Sequence, residues 1–381
     1  MSKIHITLVG GQPAPVYHGI MSTKPDLVVY IYSKDTDSKQ AFNILKKEVG
    51  TKWLGYKLDP TDPVLIKNLA ERLANKFKND EEITINISGG LKSWSYWFGV
   101  VFEKISNATI IYIDQNNKLW NYRTMEASSN IEFDMHTLFR LYRNPLTNYT
   151  PYTDYTDADF SAVTLIEECR AFNHQDFNRL LTVLNKISQT KLRTQDCGEF
   201  HLTDSQSYVK WERNRCMRNS NVIIHIHNNE SSITKEFTSP HAIDLAFFAG
   251  WFECKIAHIL SRWNKAKEIC MNCHFPFKPG FDKNEVDIII NTGNKILFVE
   301  CKTQINKTTD IDKFRSVIKA YGGTASKGLF ITDASMYDLA KAKCDEHNIL
   351  TFSLQDNHGN MSYEEALITL LDTELDKINA R

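Results

Sequence analysis

Asp287, Glu300 and Lys302 are the residues of this chain whose types and spacing bear on chemistry most directly. They lie in Asn284-Glu-Val-Asp-Ile-Ile-Ile-Asn-Thr-Gly-Asn-Lys-Ile-Leu-Phe-Val-Glu-Cys-Lys302. That stretch reads as two strands, 286–290 and 295–302, joined by a turn at Asn291-Thr-Gly-Asn. Side chains two apart on a strand leave the same face, so Glu300 and Lys302 are neighbours by geometry. Hairpin pairing in the right register brings Asp287 alongside Glu300. Two carboxylates among Val, Ile, Leu and Phe cannot both stay ionised in a dry site without a cation, and a hard divalent metal is the natural counter-charge. A lysine beside that metal can orient or help deprotonate a water, or stabilise a phosphate under attack. This is the equipment of phosphodiester hydrolysis. The plainer reading is an exposed hairpin with a Glu300–Lys302 salt bridge, but Ile296, Phe298 and Cys301 leave no face of the strand plainly wet.

A helix over 241–263 adds Glu253, on a stripe with Ala246, Ala249 and Ala257 and a flank of Leu245, Phe248, Phe252 and Ile256. A glutamate on a close-packed face needs a partner, and the same cation provides one. Around this core the spacing predicts a helix at 310–321 with a C-cap at Gly322-Gly323, a strand at 328–332 and a helix at 337–347.

The first 125 residues alternate β-branched runs with amphipathic segments, the pattern of a parallel sheet covered by helices. Strands fall at 4–9, 27–33, 52–58, 83–87, 108–113 and 118–123, and helices at 36–49, 62–77 and 92–105. Leu27-Val-Val-Tyr-Ile-Tyr is apolar throughout, as a strand buried on both faces must be. Two glycine-rich turns follow the first and fourth strands: Gly10-Gly11-Gln12-Pro13-Ala-Pro15 and Ser88-Gly89-Gly90-Leu91-Lys92. In a doubly wound sheet of order 3-2-1-4 these strands are adjacent, and the crevice between them is where ligands bind. Glycines admit phosphate to the backbone, and a helix starting near Leu91 aims its positive end there, with Lys92 adding a charge. Gln12, Asn86 and Ser88 are candidate base or ribose contacts. Neither turn is a dinucleotide fingerprint or a Walker loop, which argues against NAD and ordinary ATPase chemistry; the alternative is that both are only tight strand-to-helix turns.

The set Gly250-Trp-Phe-Glu253, Asn284-Glu-Val-Asp287, Val299-Glu-Cys-Lys302 and Tyr321-Gly-Gly323 resembles the PD-(D/E)xK nuclease fold. More narrowly, it resembles the nuclease half of type III CRISPR ancillary effectors, in which a CARF domain that senses cyclic oligoadenylate controls a metal-dependent nuclease. The resemblance implies an α/β chain with a Rossmann-like CARF domain and a restriction-endonuclease-like second domain. Asp287, Glu300 and Glu253 would bind Mg²⁺ or Mn²⁺, and Lys302 would be the catalytic lysine. The motif's proline is replaced by Val286. The two glycine turns resemble CARF ligand loops, with Leu91 where threonine is usual. The implied ligand is cyclic tetra-adenylate, a two-fold ring lying across a homodimer and acting as allosteric activator. The implied activity is endonucleolytic cutting of DNA and/or RNA in antiviral defence. A ligand-responsive nucleic-acid-binding regulator with a non-catalytic second domain, and a ring nuclease acting in the CARF domain, are the alternatives.

The domain boundaries expected are 1–148 for the sensor, 149–195 for a connector with a helix, and 196–381 for the nuclease. The chain has 381 residues, ample for two domains. Lys+Arg 45 against Asp+Glu 46 excludes a globally polyanion-coating protein, so any anionic partner must be met locally. Between Pro240 and Ala320, 12 basic residues face 9 acidic ones, mild support for a polyanionic substrate once metal neutralises three acids. No apolar run is long enough for a bilayer, and Met1-Ser-Lys-Ile-His-Ile opens with strand-like alternation instead of a leader, so the expected location is cytoplasmic. Eight irregularly spaced cysteines fit reduced thiols. Cys270-Met-Asn-Cys273-His274 spells a haem-attachment pattern or half a zinc site, with Cys254, Cys216 and His274 as completions, but core thiols explain it more simply. His225 and His227 share one strand face, and Trp211, Arg213, Arg215 and Arg218 suit either a nucleic-acid backbone or a solvated face.

Overall fold

The computed structural model describes residues 2–114, 117–128, 132, 134–181, 191–192, 194–247, 249–275, 284–293, 295–305, 307–321 and 326–377. The front lobe runs β1 (Lys3–Val9), α1 (Pro13–Thr23), β2 (Leu27–Tyr32), α2 (Thr36–Val49), β3 (Trp53–Lys57), α3 (Pro63–Phe77), β4 (Glu82–Asn86), α4 (Lys92–Phe102), β5 (Ala108–Ile113), β6 (Leu119–Asn121), β7 (Glu126–Ser128) and α5 (Met135–Leu141). Its sheet has the order β3-β2-β1-β4-β5-β6-β7, parallel through β5 and closed by an antiparallel edge. Alternation divides β2: Val29 and Ile31 pack with α3 and α4, whereas Val28 and Tyr30 pack with α1 and α2.

α1 does not emerge from the sequence pattern, because Pro13 and Pro15 read as breakers. At the first positions of a helix, however, proline loses no hydrogen bond and its φ suits the turn. α1 begins at Pro13, directly beyond the glycine turn.

The rear lobe runs β8 (Asn148–Pro151), α6 (Asp157–Phe172), α7 (His174–Leu181), β9 (Cys197–His201), β10 (Tyr208–Asn214), β11 (Asn219–His227), β12 (Ser232–Ser239), α8 (Ala242–Ala246), α9 (Gly250–Leu260), β13 (Glu268–Phe275), β14 (Asn284–Asn291), β15 (Ile296–Lys302), α10 (Thr309–Tyr321), β16 (Ser326–Thr332), α11 (Asp338–Glu346), β17 (Ile349–Ser353) and α12 (Tyr363–Lys377). Six strands form a mixed sheet, β17-β16-β15-β14-β13-β8, and β9–β12 form a separate antiparallel sheet. The segment expected as a connector contributes β8, the edge strand beside β13, and α6, which packs on β12.

The helix expected over 241–263 is two helices. Ala249 takes a left-handed φ of 65°, and at Gly250 a side chain would put its Cβ 2.1 Å from the Asp244 carbonyl, so the chain breaks where only glycine fits. Phe248 and the Gly322-Gly323 cap lie outside the described residues. Among the described residues no helix is long and apolar enough to cross a membrane.

Candidate active site and ligand crevice

The β14–β15 ladder sets the rear site. It pairs Asn291–Ile296 through Ile288–Val299, and one further step brings Asp287 opposite Glu300. There the Asp287 carboxylate accepts the Cys301 N–H at 2.7 Å. The neighbouring strand carries an irregularity at the same level: Asn272 has φ 49°, and the β13–β8 register shifts between Met271 and His274.

Lys302 Nζ lies 2.7 Å from Glu300 and 3.7 Å from Asp287, with 36% of its side chain exposed. Burial alone would discharge this ammonium, but the Asp287 and Glu300 charges outweigh it and raise its pKa. The carboxylates respond in the opposite sense. Burial and the Asp287 charge push Glu300 up to about 7, against the pull of Lys302. Asp287 is raised by burial despite Lys302 and the Cys301 N–H. Glu253, on α9, is raised well above the usual carboxylate range by burial and then by Asp287. Lys302 therefore brings Asp287 and Glu300 to one point, and Glu253 feels all three charges, although the three carboxylates do not all lie within 4.8 Å of one another. Such a donor set, all carboxylate oxygen and starved of counter-charge, suits a hard divalent cation.

The front turns meet. A Cβ on Gly10 would sit 2.9 Å from the Gly90 nitrogen, and Gly90 has φ 74° with Leu8 Cβ 2.8 Å from where its own Cβ would be. α1 and α4 both start here, and neither N-cap residue, Gln12 or Leu91, supplies a side-chain cap. Two such helix starts beside glycine backbone form an anion-binding surface. Gly11, Gln12, Leu91 and Lys92 are exposed at this crevice, while Pro13 is buried as the first residue of α1.

Asn86 and Ser88 are engaged within the lobe itself. Asn86 is fully buried; its Nδ2 donates to the Pro15 carbonyl at 3.3 Å and its Oδ1 accepts from Ser88 N and Oγ. Ser88 Oγ also accepts the Ile113 N–H at 2.7 Å. Both tie β4 to α1 and β5, so they brace the crevice.

Sequence reasoning missed a link between the two sites. Tyr142, just past α5, donates to Gln12 Oε1 at 2.8 Å. Phe139 of α5 packs 6.2 Å from Phe298, on the strand that carries Glu300. Nothing in a short apolar run such as Met135–Leu141 marks it as a bridge between lobes.

The remaining motifs resolve simply. All eight cysteines are free thiols, six of them buried. Cys270 neighbours His136 and Glu268, whose ligand atoms lie within 4.8 Å of one another and of its own, so the completions Cys254, Cys216 and His274 are not its partners. Trp211 is buried in the core, Arg215 pairs with Asp196 at 2.6 Å, and His225 accepts or donates at Thr234 while stacking on Tyr208.

Fold and site together define a two-lobed α/β protein, with a backbone-built crevice in front and a buried acid–lysine cluster behind. Residues 4–139 match the family model of the Card1 CARF domain, so the front lobe is similar to a CARF domain. No curated protein matches the chain. Among solved structures, the chain is similar to Can2 from Sulfobacillus thermosulfidooxidans, solved with cyclic tetra-adenylate, at 15% identity and TM-score 0.66 over 98% of this chain and 99% of that one. It is similar to protein VC1899 from Vibrio cholerae at 14% identity and TM-score 0.72, over 98% of each chain. A type III CRISPR defence DNA nuclease activated by cyclic oligoadenylate aligns at 14% identity and TM-score 0.58 over 97% of this chain and 51% of its own. At such identities the likeness is one of fold, and it spans both lobes in the same order.

Proposed function

We propose that the chain is a type III CRISPR ancillary effector: a metal-dependent endonuclease of PD-(D/E)xK type, activated by cyclic tetra-adenylate and acting on DNA and/or RNA as a homodimer. The observation that carries this reading is Lys302 held between Glu300 and Asp287 beside Glu253, behind a front lobe of CARF type. Asp287, Glu300 and Glu253 would hold Mg²⁺ or Mn²⁺, which when bound supplies counter-charge and an acidified water. Lys302 Nζ, kept protonated by its carboxylate neighbours, donates hydrogen bonds to a non-bridging phosphate oxygen and stabilises charge as the water attacks. Its Glu300 contact fixes the direction of that ammonium. The buried walls around Asp287 and Glu300 limit water near the reacting phosphate, which strengthens each charge interaction there.

In front, the N-termini of α1 and α4 and the glycine backbone receive the phosphates of the cyclic ligand. The ligand shifts the protein toward a cutting-competent arrangement by binding that arrangement better. The solved complex of Can2 with cyclic tetra-adenylate supports this choice of ligand, and the cyclic-oligoadenylate-activated DNA nuclease supports the choice of activity. Glu300→Ala and Lys302→Ala test the assignment. Each is expected to lower Mn²⁺-dependent cutting of labelled DNA or RNA by at least about a hundredfold, with cyclic tetra-adenylate binding unchanged. Undiminished cutting by both variants would place the chemistry elsewhere, the front crevice included.

A further inference from the structure

A groove of about 500 Å³ opens at the carboxyl ends of the three parallel strands of the rear sheet. Thr303 and Gln304 follow β15, Ala334 follows β16 and Gln355 follows β17; α6 and α7 supply the opposite wall with Arg170, His174 and Asn178. Thr303 is the residue after Lys302, and Asp333, next to Ala334, donates its N–H to the Lys302 carbonyl, so the groove adjoins the strand end that carries the lysine. The carboxyl ends of parallel strands are where open α/β sheets gather ligands.

Arg170 is built in. Its guanidinium lies 5.2 Å from the Trp251 ring centroid, pairs with Asp333 at 2.6 Å and meets His174 Nε2 at 3.3 Å. Asp333 is itself fixed, its backbone N–H bonded to the Lys302 carbonyl at 3.2 Å. The Asp333 and His174 contacts both fall on Nη2, so a rigid fork is anchored by one prong beside the strand end that carries Lys302. A fixed planar fork suits a phosphate, which a mobile ammonium grips less directionally.

Charge decides what else the groove recognises. Arg170 is offset by Asp333, and Glu167 on the same wall is paired with Lys255 at 2.6 Å. A wall so balanced attracts no bulk polyanion; it reads hydrogen bonds. Gln304 and Gln355 each carry both a donor and an acceptor, Asn178 is held against the His174 ring through its Nδ2 at 3.2 Å, and Thr303 adds a hydroxyl, the complement of sugar hydroxyls and base edges. The volume falls in the range of small-molecule pockets, room for one nucleotide and not for a duplex.

We propose that this groove seats one nucleotide of the substrate strand adjacent to the scissile phosphate, with a neighbouring phosphate on Arg170 and the sugar and base edge against Gln304, Gln355 and Asn178. The inference rests on the nuclease reading of the Glu300–Lys302 cluster and makes the substrate there an unpaired strand.

The test uses the full chain with Mn²⁺, cyclic tetra-adenylate and fluorescent single-stranded oligonucleotides. Gln304 and Gln355 are exposed, so Gln304→Ala/Gln355→Ala keeps the fold. It is expected to raise KM about tenfold, with kcat within about twofold and cyclic tetra-adenylate binding unchanged. Arg170→Lys keeps the charge, loses the fork and moves KM the same way. In a Glu300→Gln background with Ca²⁺, anisotropy should show the same loss as a weaker Kd for the oligonucleotide. If the parent cuts and the groove variants cut and bind as it does, the groove proposal falls and the nuclease reading stands. If the parent neither cuts nor binds any oligonucleotide, both fall. If the Glu300→Gln chain binds without the parent cutting, the groove variants still decide by their Kd.

Discussion

The front crevice is made of main chain, and the rear cluster of side chains. In front, what shapes the site is the absence of Cβ atoms at Gly10 and Gly90 and two helix starts without side-chain caps. Behind, Lys302 faces Asp287 and Glu300 at a partly buried opening, and its charge acts on the protonation of both and of Glu253. A backbone site has no residue whose chemistry can be swapped out; it fails when bulk or the wrong φ is introduced. A side-chain site keeps its shape under substitution and fails when a charge is lost. The two lobes should therefore break in different ways.

After the hundredfold losses expected of Glu300→Ala and Lys302→Ala in the rear lobe, the largest expected effect is that of Gly90→Ala in the front. A Cβ there meets Leu8 at 2.8 Å on a backbone of φ 74°, which costs about 1–3 kcal/mol. Stimulation of cutting by cyclic tetra-adenylate should fall at least about tenfold while unstimulated cutting persists. Titration calorimetry with the ligand and a cleavage assay read the two separately. Unchanged stimulation would show that the glycine turns are only structural.

Tyr142→Phe sharpens the comparison by cutting the link. It removes one hydrogen bond to Gln12, so a loss of about 1 kcal/mol of coupling is expected, seen as a several-fold smaller stimulation at saturating ligand. The effect should vanish in a Gln12→Ala background, since the two residues act as a pair.

Titration separates the lobes with opposite signs. Burial lowers His5 to about 3 and His18 to about 4, so below pH 6.5 the unfolded chain takes up protons that the folded front lobe refuses. The front lobe accordingly loses stability as pH falls from 6.5. Glu300 is raised to about 7, so the folded rear lobe holds a proton that the unfolded chain releases above about 4.5. Its contribution is fully present below 4.5 and fades as pH rises toward 7. In EDTA, between pH 6.5 and 4.5, hydrogen exchange corrected for its intrinsic rate should quicken in β1 and slow in β15, by up to about 1.4 kcal/mol per pH unit for each titrating group. Parallel trends would contradict these assignments.

The same contrast governs what the sequence could tell. Asp287, Glu300, Lys302 and Glu253 were legible because their chemistry is in their types and their spacing follows strand and helix periods. The front strands and α2 were legible for the same reason: apolar periodicity is strong there, and Thr36–Val49 is matched end to end. α1 was missed because prolines that break a helix elsewhere begin one here. The bracing by Asn86 and Ser88 was not legible, because their partners at Pro15 and Ile113 come from distant parts of the chain. The break at Ala249 and the use of 148–151 as an edge strand depend on long-range packing, which no local pattern carries.

The central claim is that occupancy of the front crevice controls chemistry at the rear cluster. Initial rates of DNA and RNA cleavage with Mn²⁺, measured with and without saturating cyclic tetra-adenylate on one enzyme preparation, test it most directly. Cutting at least about tenfold faster is expected with the ligand, and Lys302→Ala should abolish it. Equal rates with and without it, in a protein that binds the ligand, would contradict the account.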